Sequence, residues 1–152
     1  MQTKTNPLLA MLKDDHKKVK KLFEEYKGAN SRKQQEIADT AIHELEVHAA
    51  LEEELIYPAI REEIDEDELM NEATEEHHLV HVLIGELKKL DPSEESFSAK
   101  FTVLGELVKH HVKEEEGEMF PKAQKADLDW DALNEEVHER KEQLTAKLTA
   151  RS

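Results

Sequence analysis

The sequence contains no cysteine, so neither a disulfide framework nor a thiolate metal site is available to it. Glycine and proline are scarce, with 4 of each in 152 residues. Apolar and charged residues each account for 38%, and glutamate, lysine, leucine and alanine dominate. A composition of this kind is typical of long amphipathic helices, and the length suits one domain. Any metal ion would therefore have to be bound by histidine and carboxylate side chains.

Long apolar runs and a basic surface are also missing. Nowhere do about 18 apolar residues follow one another, and the first residues lack a basic segment leading into an apolar one. The formal net charge is -15, whereas nucleic acids and anionic membranes attract basic proteins. We therefore expect a cytoplasmic protein that binds neither nucleic acid nor membranes.

The sequence contains nine histidines, and two of them, His48 and His111, begin the two copies of an internal repeat. The segment from His48 to Pro58 reads HAALEEELIYP, and the segment from His111 to Pro121 reads HVKEEEGEMFP. In both copies a glutamate follows the histidine by four residues, and an aromatic-proline pair comes later. Residues four apart share one face of a helix, so each pair can converge on one metal ion.

Apolar periodicity predicts five helices. Asn6-Pro7 begins the first and Gly28 ends it; the second runs from about Arg32 to Tyr57, where Pro58 ends or kinks it. The third follows the acidic run at 65–67, and the fourth follows Asp91-Pro92-Ser93 and ends at Pro121. Short connections make neighbours antiparallel, which predicts an all-α, up-down-up-down antiparallel four-helix bundle. We expect one domain over 1–152, with the bundle at about 6–121 and an additional C-terminal helix at about 127–150 packed over it.

Each of the four bundle helices carries histidine on its apolar stripe. Unpaired buried charges would cost several kcal/mol each, and a metal ion removes that cost by accepting the lone pairs. A solvated polar patch without metal is the alternative. The predicted metal ligands are His16, His48, Glu52, His77, His81, His111 and Glu115. The remaining histidines lie beside the stripes or on polar faces, where we expect solvated or supporting side chains: His43, His78, His110 and His138.

The repeat extends to the first and third helices but is not perfect. Asp14-Asp15-His16 corresponds to Glu75-Glu76-His77, whereas Lys20 stands where the other half has His81. Five histidines and two bridging carboxylates supply about nine of the roughly twelve donor positions that two octahedral metals need. A bridging solvent oxygen fills two more and leaves one open. Imidazole and carboxylate suit iron, manganese or zinc, and an open position favours small-molecule binding at iron.

Several neighbouring residues receive other roles. We expect Glu53, Glu54, Glu114 and Glu116 on the charged outer face, and Tyr57 and Phe120 in packing. Glu44, one turn before His48, is a candidate acceptor for a ligand imidazole.

The order His16, His48-x-x-x-Glu52, His77-x-x-x-His81, His111-x-x-x-Glu115 resembles the hemerythrin-like, or HHE cation-binding, family over residues 8 to 121. The resemblance implies a cofactor of two non-haem iron ions in a four-helix bundle, bridged by Glu52, Glu115 and a solvent-derived oxygen. It further implies that His77, His81 and His111 hold one iron and that His16 and His48 hold the other. Dioxygen or peroxide would bind at the two-histidine iron.

One departure concerns the last ligand. Oxygen-carrying members place an aspartate five residues after the last histidine, whereas here Glu115 follows His111 by four and Glu116 by five. Simple oxygen carriage is therefore in doubt, and Glu116 remains an alternative to Glu115. We expect binding, storage or sensing of dioxygen, or catalase-like peroxide decomposition if the protein is an enzyme. The alternatives are storage or buffering of iron or zinc, and a metal-free interaction module.

Overall fold

The computed structural model describes the backbone of residues 6–150 and the side chains of 6–147. This part of the chain is helical and contains no strand. The helices are α1 (Pro7–Gly28), α2 (Ser31–Leu51), α3 (Tyr57–Glu63), α4 (Asp67–Lys89), α5 (Glu95–Glu114), α6 (Phe120–Lys125) and α7 (Trp130–Ala150). The predicted all-α bundle with an additional C-terminal helix is confirmed. None of the described helices combines the length and apolarity needed to cross a membrane.

Local sequence explains where the first two helices begin. The Asn6 side chain accepts hydrogen bonds from the backbone N–H groups of Leu8 and Leu9, and Pro7 occupies the first helical turn. Asn30 caps α2 in the same way by accepting from the Lys33 N–H. The predicted start of each helix is confirmed.

Two π-helical turns interrupt the helices at the repeat. The first π turn (Glu52–Ile56) joins α2 to α3, and the second π turn (Glu115–Met119) joins α5 to α6. The prediction that the fourth helix ends at Pro121 is wrong, because α6 continues past it. A proline lacks an N–H and its ring clashes with the carbonyl four residues earlier, and a wider turn relieves both problems. The Tyr57 N–H donates to the Glu52 carbonyl, and the Phe120 N–H to that of Glu115.

The core consists of two apolar layers separated by one polar layer. The lower apolar layer includes Leu12 and Leu51, and the upper one includes Val19 and Phe101. The polar layer contains the six buried polar or charged residues of the described chain, each at most 9% exposed: His16, His48, Glu52, His77, His111 and Glu115. Every bundle helix thus changes from apolar to polar and back at the same height, which places these side chains opposite one another.

Helix α7 lies against α1, α2 and the first π turn. Its buried residues Leu133, Val137 and Leu144 join the lower apolar layer. Two ion pairs anchor it: Arg140 Nε lies 3.0 Å from Glu54 Oε1, and Lys141 Nζ lies 3.3 Å from Asp15 Oδ1. The side chain of Leu148, which follows Leu144 at helical spacing, lies outside the described side chains. The helix therefore completes the core beside the polar layer.

Candidate metal centre

Four imidazoles face one another in the polar layer as two pairs. The Nε2 atoms of His16 and His48 are 3.0 Å apart, and those of His77 and His111 are 3.2 Å apart. The pairs come from the two helical hairpins, α1–α2 and α4–α5. Each pair presents two ring nitrogens to a common point in the bundle interior.

Glu52 and Glu115 lie between the two pairs. Glu52 Oε1 is 3.5 Å from His48 Nε2 and 3.1 Å from His77 Nε2. Glu115 approaches His16 Nε2 at 3.3 Å and His111 Nε2 at 3.0 Å. Each carboxylate therefore contacts one imidazole of each pair. The result is two groups of four donors, His16-His48-Glu52-Glu115 and Glu52-His77-His111-Glu115, with ligand atoms within 4.8 Å of one another.

A second ring of carboxylates orients the imidazoles through their outer nitrogens. In each case Nδ1 of the imidazole donates to a carboxylate. His16 donates to Glu116 at 2.6 Å and His48 to Asp15 at 3.3 Å. His77 donates to Glu53 at 2.9 Å and His111 to Glu76 at 2.8 Å. A proton on Nδ1 leaves the lone pair on Nε2, which is the form that binds a metal. All four rings are thus turned so that their free lone pairs point inward.

The donor set fits a metal cation on two further observations. Neutral rings of this tautomer present two lone pairs to each other at about 3 Å in each pair, and a cation accepts both. Glu52 Oε2 and Glu115 Oε1 are buried with no hydrogen-bond partner, which is costly for a carboxylate oxygen. Metal coordination would satisfy these atoms as well.

Without metal, the neighbouring carboxylates favour the protonated form of three of these imidazoles. Burial disfavours the charged imidazole of His48, but Glu52 and Asp15 outweigh it and raise the pKa of His48 to about 10. Burial also lowers the pKa of His77, but Glu52 and Glu53 outweigh this effect and raise the pKa to about 9. Glu115 and Glu76 raise the pKa of His111 to about 10. Metal binding must therefore displace protons from these rings.

Tyr57 inserts its hydroxyl among the donors of the α4–α5 pair. Its oxygen lies 3.2 Å from His77 Nε2 and 3.0 Å from His111 Nε2, and it donates to Glu115. Burial and the nearby carboxylates raise the pKa of the phenol well above its ordinary value. The sequence predicts a packing role for Tyr57, whereas the structure directs its oxygen at the donor group. In the other copy the corresponding Phe120 stacks on the His16 ring without a polar atom.

The structure brings six of the seven predicted ligands together and places His81 elsewhere. The His81 side chain is 46% exposed, and its Nε2 lies 2.7 Å from Glu53 Oε2. It therefore supports the carboxylate that orients His77 instead of joining a donor group. The Tyr57 oxygen, in contrast, lies between the two imidazoles of this half.

We expect His81→Ala and His77→Ala to differ, although the two residues are one turn apart on α4. His77→Ala removes an inward-facing Nε2 and should cost most of the metal bound by that half. His81→Ala removes only a contact to Glu53 and should leave the metal content unchanged. Metal analysis of both purified variants checks this, and equal metal loss would return His81 to the ligand set.

The structure also gives the positions of the residues that were alternatives or candidate supports for the predicted ligands. His111 lies in the site, whereas His110 is 62% exposed, as the repeat predicted. Glu115 enters both donor groups and Glu116 binds the outer nitrogen of His16. Glu44 accepts from Lys18 instead of from a ligand imidazole.

Five participants were missed as site residues: Asp15, Glu53, Tyr57, Glu76 and Glu116. A signal for the carboxylates existed in the repeat. Asp15 and Glu76 each precede a histidine, and Glu53 and Glu116 each follow a bridging glutamate. Their equivalence by pairs indicated a shared role, but which imidazole each would meet depends on the helix that packs opposite.

A small cavity adjoins the donors. Its volume is about 30 Å³, enough for one or two solvent-sized molecules. Ring edges from both pairs border it, and its other walls are mainly apolar, including Val19, Leu45, Val80 and Val108. The cavity therefore admits a ligand of a few atoms directly beside the imidazoles.

Known proteins are similar to this chain in sequence and in fold. A profile of the hemerythrin HHE cation binding domain matches residues 8–123. A protein named DNA nickase from Nostoc sp. strain PCC 7120 is 33% identical over 114 residues, which cover 72% of this chain and 31% of that protein. The match thus spans about a third of that relative. The crystal structure of a hemerythrin HHE cation binding domain-containing protein from Mycobacterium kansasii is 26% identical, with a TM-score of 0.76, covering 92% of this chain and 88% of that one.

These findings agree with the donor geometry. The family profile covers the four bundle helices and all the residues of both donor groups. The similar crystal structure extends over most of the chain. The protein belongs to the hemerythrin HHE cation-binding domain family.

Proposed function

We propose that the protein is a non-haem di-iron protein that binds or reacts with dioxygen or peroxide. The observation that carries the proposal is the cavity of about 30 Å³ beside the donors, which has room for a ligand of a few atoms and largely apolar walls. Iron bound here would supply reversible redox chemistry. The protein's own contribution is to orient the donors, exclude bulk water and restrict the size of the ligand.

The donor count supports two metals with one open position. Four imidazoles, the Tyr57 oxygen and two bridging carboxylates provide nine donor positions. Two six-coordinate metals need about twelve, and a bridging solvent oxygen supplies two. The half with His77, His111 and Tyr57 has one donor more than the half with His16 and His48. The open position would then belong to a metal held by His16 and His48.

The test is to load the purified protein separately with iron, manganese and zinc. Two irons per chain are expected, with optical spectra that change between oxygen-free buffer, air and peroxide. Peroxide decomposition, 2 H₂O₂ → O₂ + 2 H₂O, is followed with an oxygen electrode. Full occupancy by iron with no response to either oxidant would contradict the proposal and indicate metal buffering instead.

Tyr57→Phe gives a separate spectroscopic prediction. A phenolate bound to iron(III) produces a visible charge-transfer band, so the variant should lose that band while retaining most of its iron. Tyr26→Phe is the matched control, since the chain has only 2 tyrosines and Tyr26 is buried in the upper apolar layer against Phe101. A band that persists in Tyr57→Phe would show that this phenol is not an iron donor.

A further inference from the structure

An open groove runs between α1 and α5 on one side of the bundle. Its volume is about 590 Å³, within the range of pockets that bind small organic molecules. Aromatic rings contribute to its floor: Phe101 is buried, and Phe23 lies in contact with it at a centroid distance of 4.6 Å. Val108 and Val112 continue the apolar surface towards His16. The groove thus offers a long apolar surface to solvent.

Cationic side chains surround this surface. Five of the residues that line the groove are exposed lysines, and none makes an ion pair within the described residues: Lys17, Lys20, Lys27, Lys109 and Lys113. Three glutamates also line it, and one of them, Glu116, is bound to His16. The formal charge of the whole chain is -15. A local excess of cations on so acidic a protein is complementary to an anion.

The internal repeat supplies a comparison for the shape of the groove. With His111 aligned to His48, Gly105 corresponds to Ile42, which is 7% exposed and belongs to the same upper apolar layer as Val80 and Ile84 of α4. A Cβ atom built on Gly105 would lie 2.7 Å from Phe23 Cδ1. The glycine therefore lets the phenyl ring approach α5 closely, where any side chain would have to displace it. In the other half, a buried isoleucine stands in place of the glycine.

The same alignment supplies a comparison for the charge. Lys109 corresponds to Glu46, Lys113 to Ala50, and the α1 lysines at 17 and 20 to histidines on α4. On that face Lys88 pairs with Glu46 at 2.7 Å. The aliphatic part of a lysine side chain often covers apolar surface between helices. In the other half of the repeat, however, the four positions that correspond to these lysines carry no lysine. The cationic rim and the open floor occur together on one side only.

We propose that this groove binds an amphipathic organic carboxylate of the fatty-acid class. The hydrocarbon chain lies on Val108, Val112 and Phe23, which rests on the buried Phe101, and the lysine rim pairs with the carboxylate. A purely hydrophilic anion would leave the apolar floor uncovered, and an uncharged hydrocarbon would leave the ammonium groups unpaired. His16, Val108 and Val112 border both the groove and the 30 Å³ cavity. A bound molecule therefore lies beside the metal centre, which goes beyond the proposed function.

The experiment is calorimetric titration of the zinc-loaded protein with dodecanoate below its micelle concentration, with dodecanol as the uncharged probe. We expect saturable one-to-one binding of dodecanoate and at least tenfold weaker binding of dodecanol. Lys20→Gln with Lys109→Gln should weaken dodecanoate binding about tenfold. Lys13→Gln with Lys89→Gln, which removes the same charge outside the groove, should not.

A second variant tests the floor. Phe23→Ile with Gly105→Ile introduces the residues that the other half of the repeat has at these positions, Ile84 and Ile42. This double variant should abolish binding, while the melting temperature and zinc content show that the fold and metal centre persist. Gly85→Ala, whose added Cβ meets no atom within 4 Å, is the control. Absent or non-saturable binding, or binding equal in all variants, would overturn the proposal. Because the probe is measured on a redox-inert metal, failure here is distinct from failure of the iron chemistry.

Discussion

Glu115→Gln should remove most of the bound metal from both donor groups. The Glu115 carboxylate approaches His16 of one imidazole pair and His111 of the other, and one of its oxygens is buried without a hydrogen-bond partner. An amide keeps the volume but provides a single neutral oxygen, and its NH₂ group would face the imidazole lone pairs. Metal content per chain after loading with iron, and the oxygen evolved from peroxide, are the measurements.

The adjacent Glu116→Gln is the matched control. Glu116 accepts from the outer nitrogen of His16 at 2.6 Å, so its loss should weaken metal affinity by about 10- to 100-fold without removing a donor. Metal content at saturating iron should therefore stay near that of the original protein. The reverse pattern, with metal lost in Glu116→Gln and kept in Glu115→Gln, would exchange their roles.

The stabilisation that metal provides should grow as the pH rises. In the metal-free protein the pKa values of His48, His77 and His111 are raised from 6.5 to about 10, 9 and 10. Groups with raised folded-state pKa values stabilise the fold fully below pH 6.5, and that contribution is lost as the pH passes 9 to 10. The melting temperature of the metal-free protein should fall on the order of 10 °C from pH 7 to pH 10.

The metal-loaded protein should behave differently, because its inward imidazole nitrogens carry no proton that high pH could remove. The difference in melting temperature between loaded and metal-free protein therefore widens from pH 7 to pH 10. Differential scanning calorimetry of both forms in the same buffers measures it. A difference that stays constant or narrows over this range would show that metal does not replace protons on these rings.

The histidine layer shows how far the pattern along the chain could be interpreted. A polar side chain that interrupts an apolar stripe must be buried at the height where it occurs, so His16, His48, His77 and His111 had to meet in the interior. Glu52 and Glu115 follow from helical spacing alone, since residues four apart share a face. These six residues and the all-α bundle were therefore predictable.

The role of Tyr57 was not predictable, because its position depends on the first π turn. Residues four apart share a face only while the helix keeps its regular period. The first π turn widens that period between Glu52 and Ile56, and the Tyr57 hydroxyl comes to lie between His77 and His111. His81, on the regular helix α4, lies at the surface beside Glu53, although it is four residues from His77. Proline predicted that the helix ends or kinks, whereas the chain widens into a π turn and continues as α3.

The sequence by itself determined the composition of the centre: no thiolate, four histidines on four apolar stripes, and two glutamates one turn away from two of them. It determined these because they depend on residue type and helical spacing. The tertiary structure decided which carboxylate meets which outer nitrogen, that the Tyr57 oxygen lies between His77 and His111 while His81 stays at the surface, and that one side of the bundle has an open groove. Those features depend on which helix packs opposite each side chain, and spacing along a single chain does not specify it.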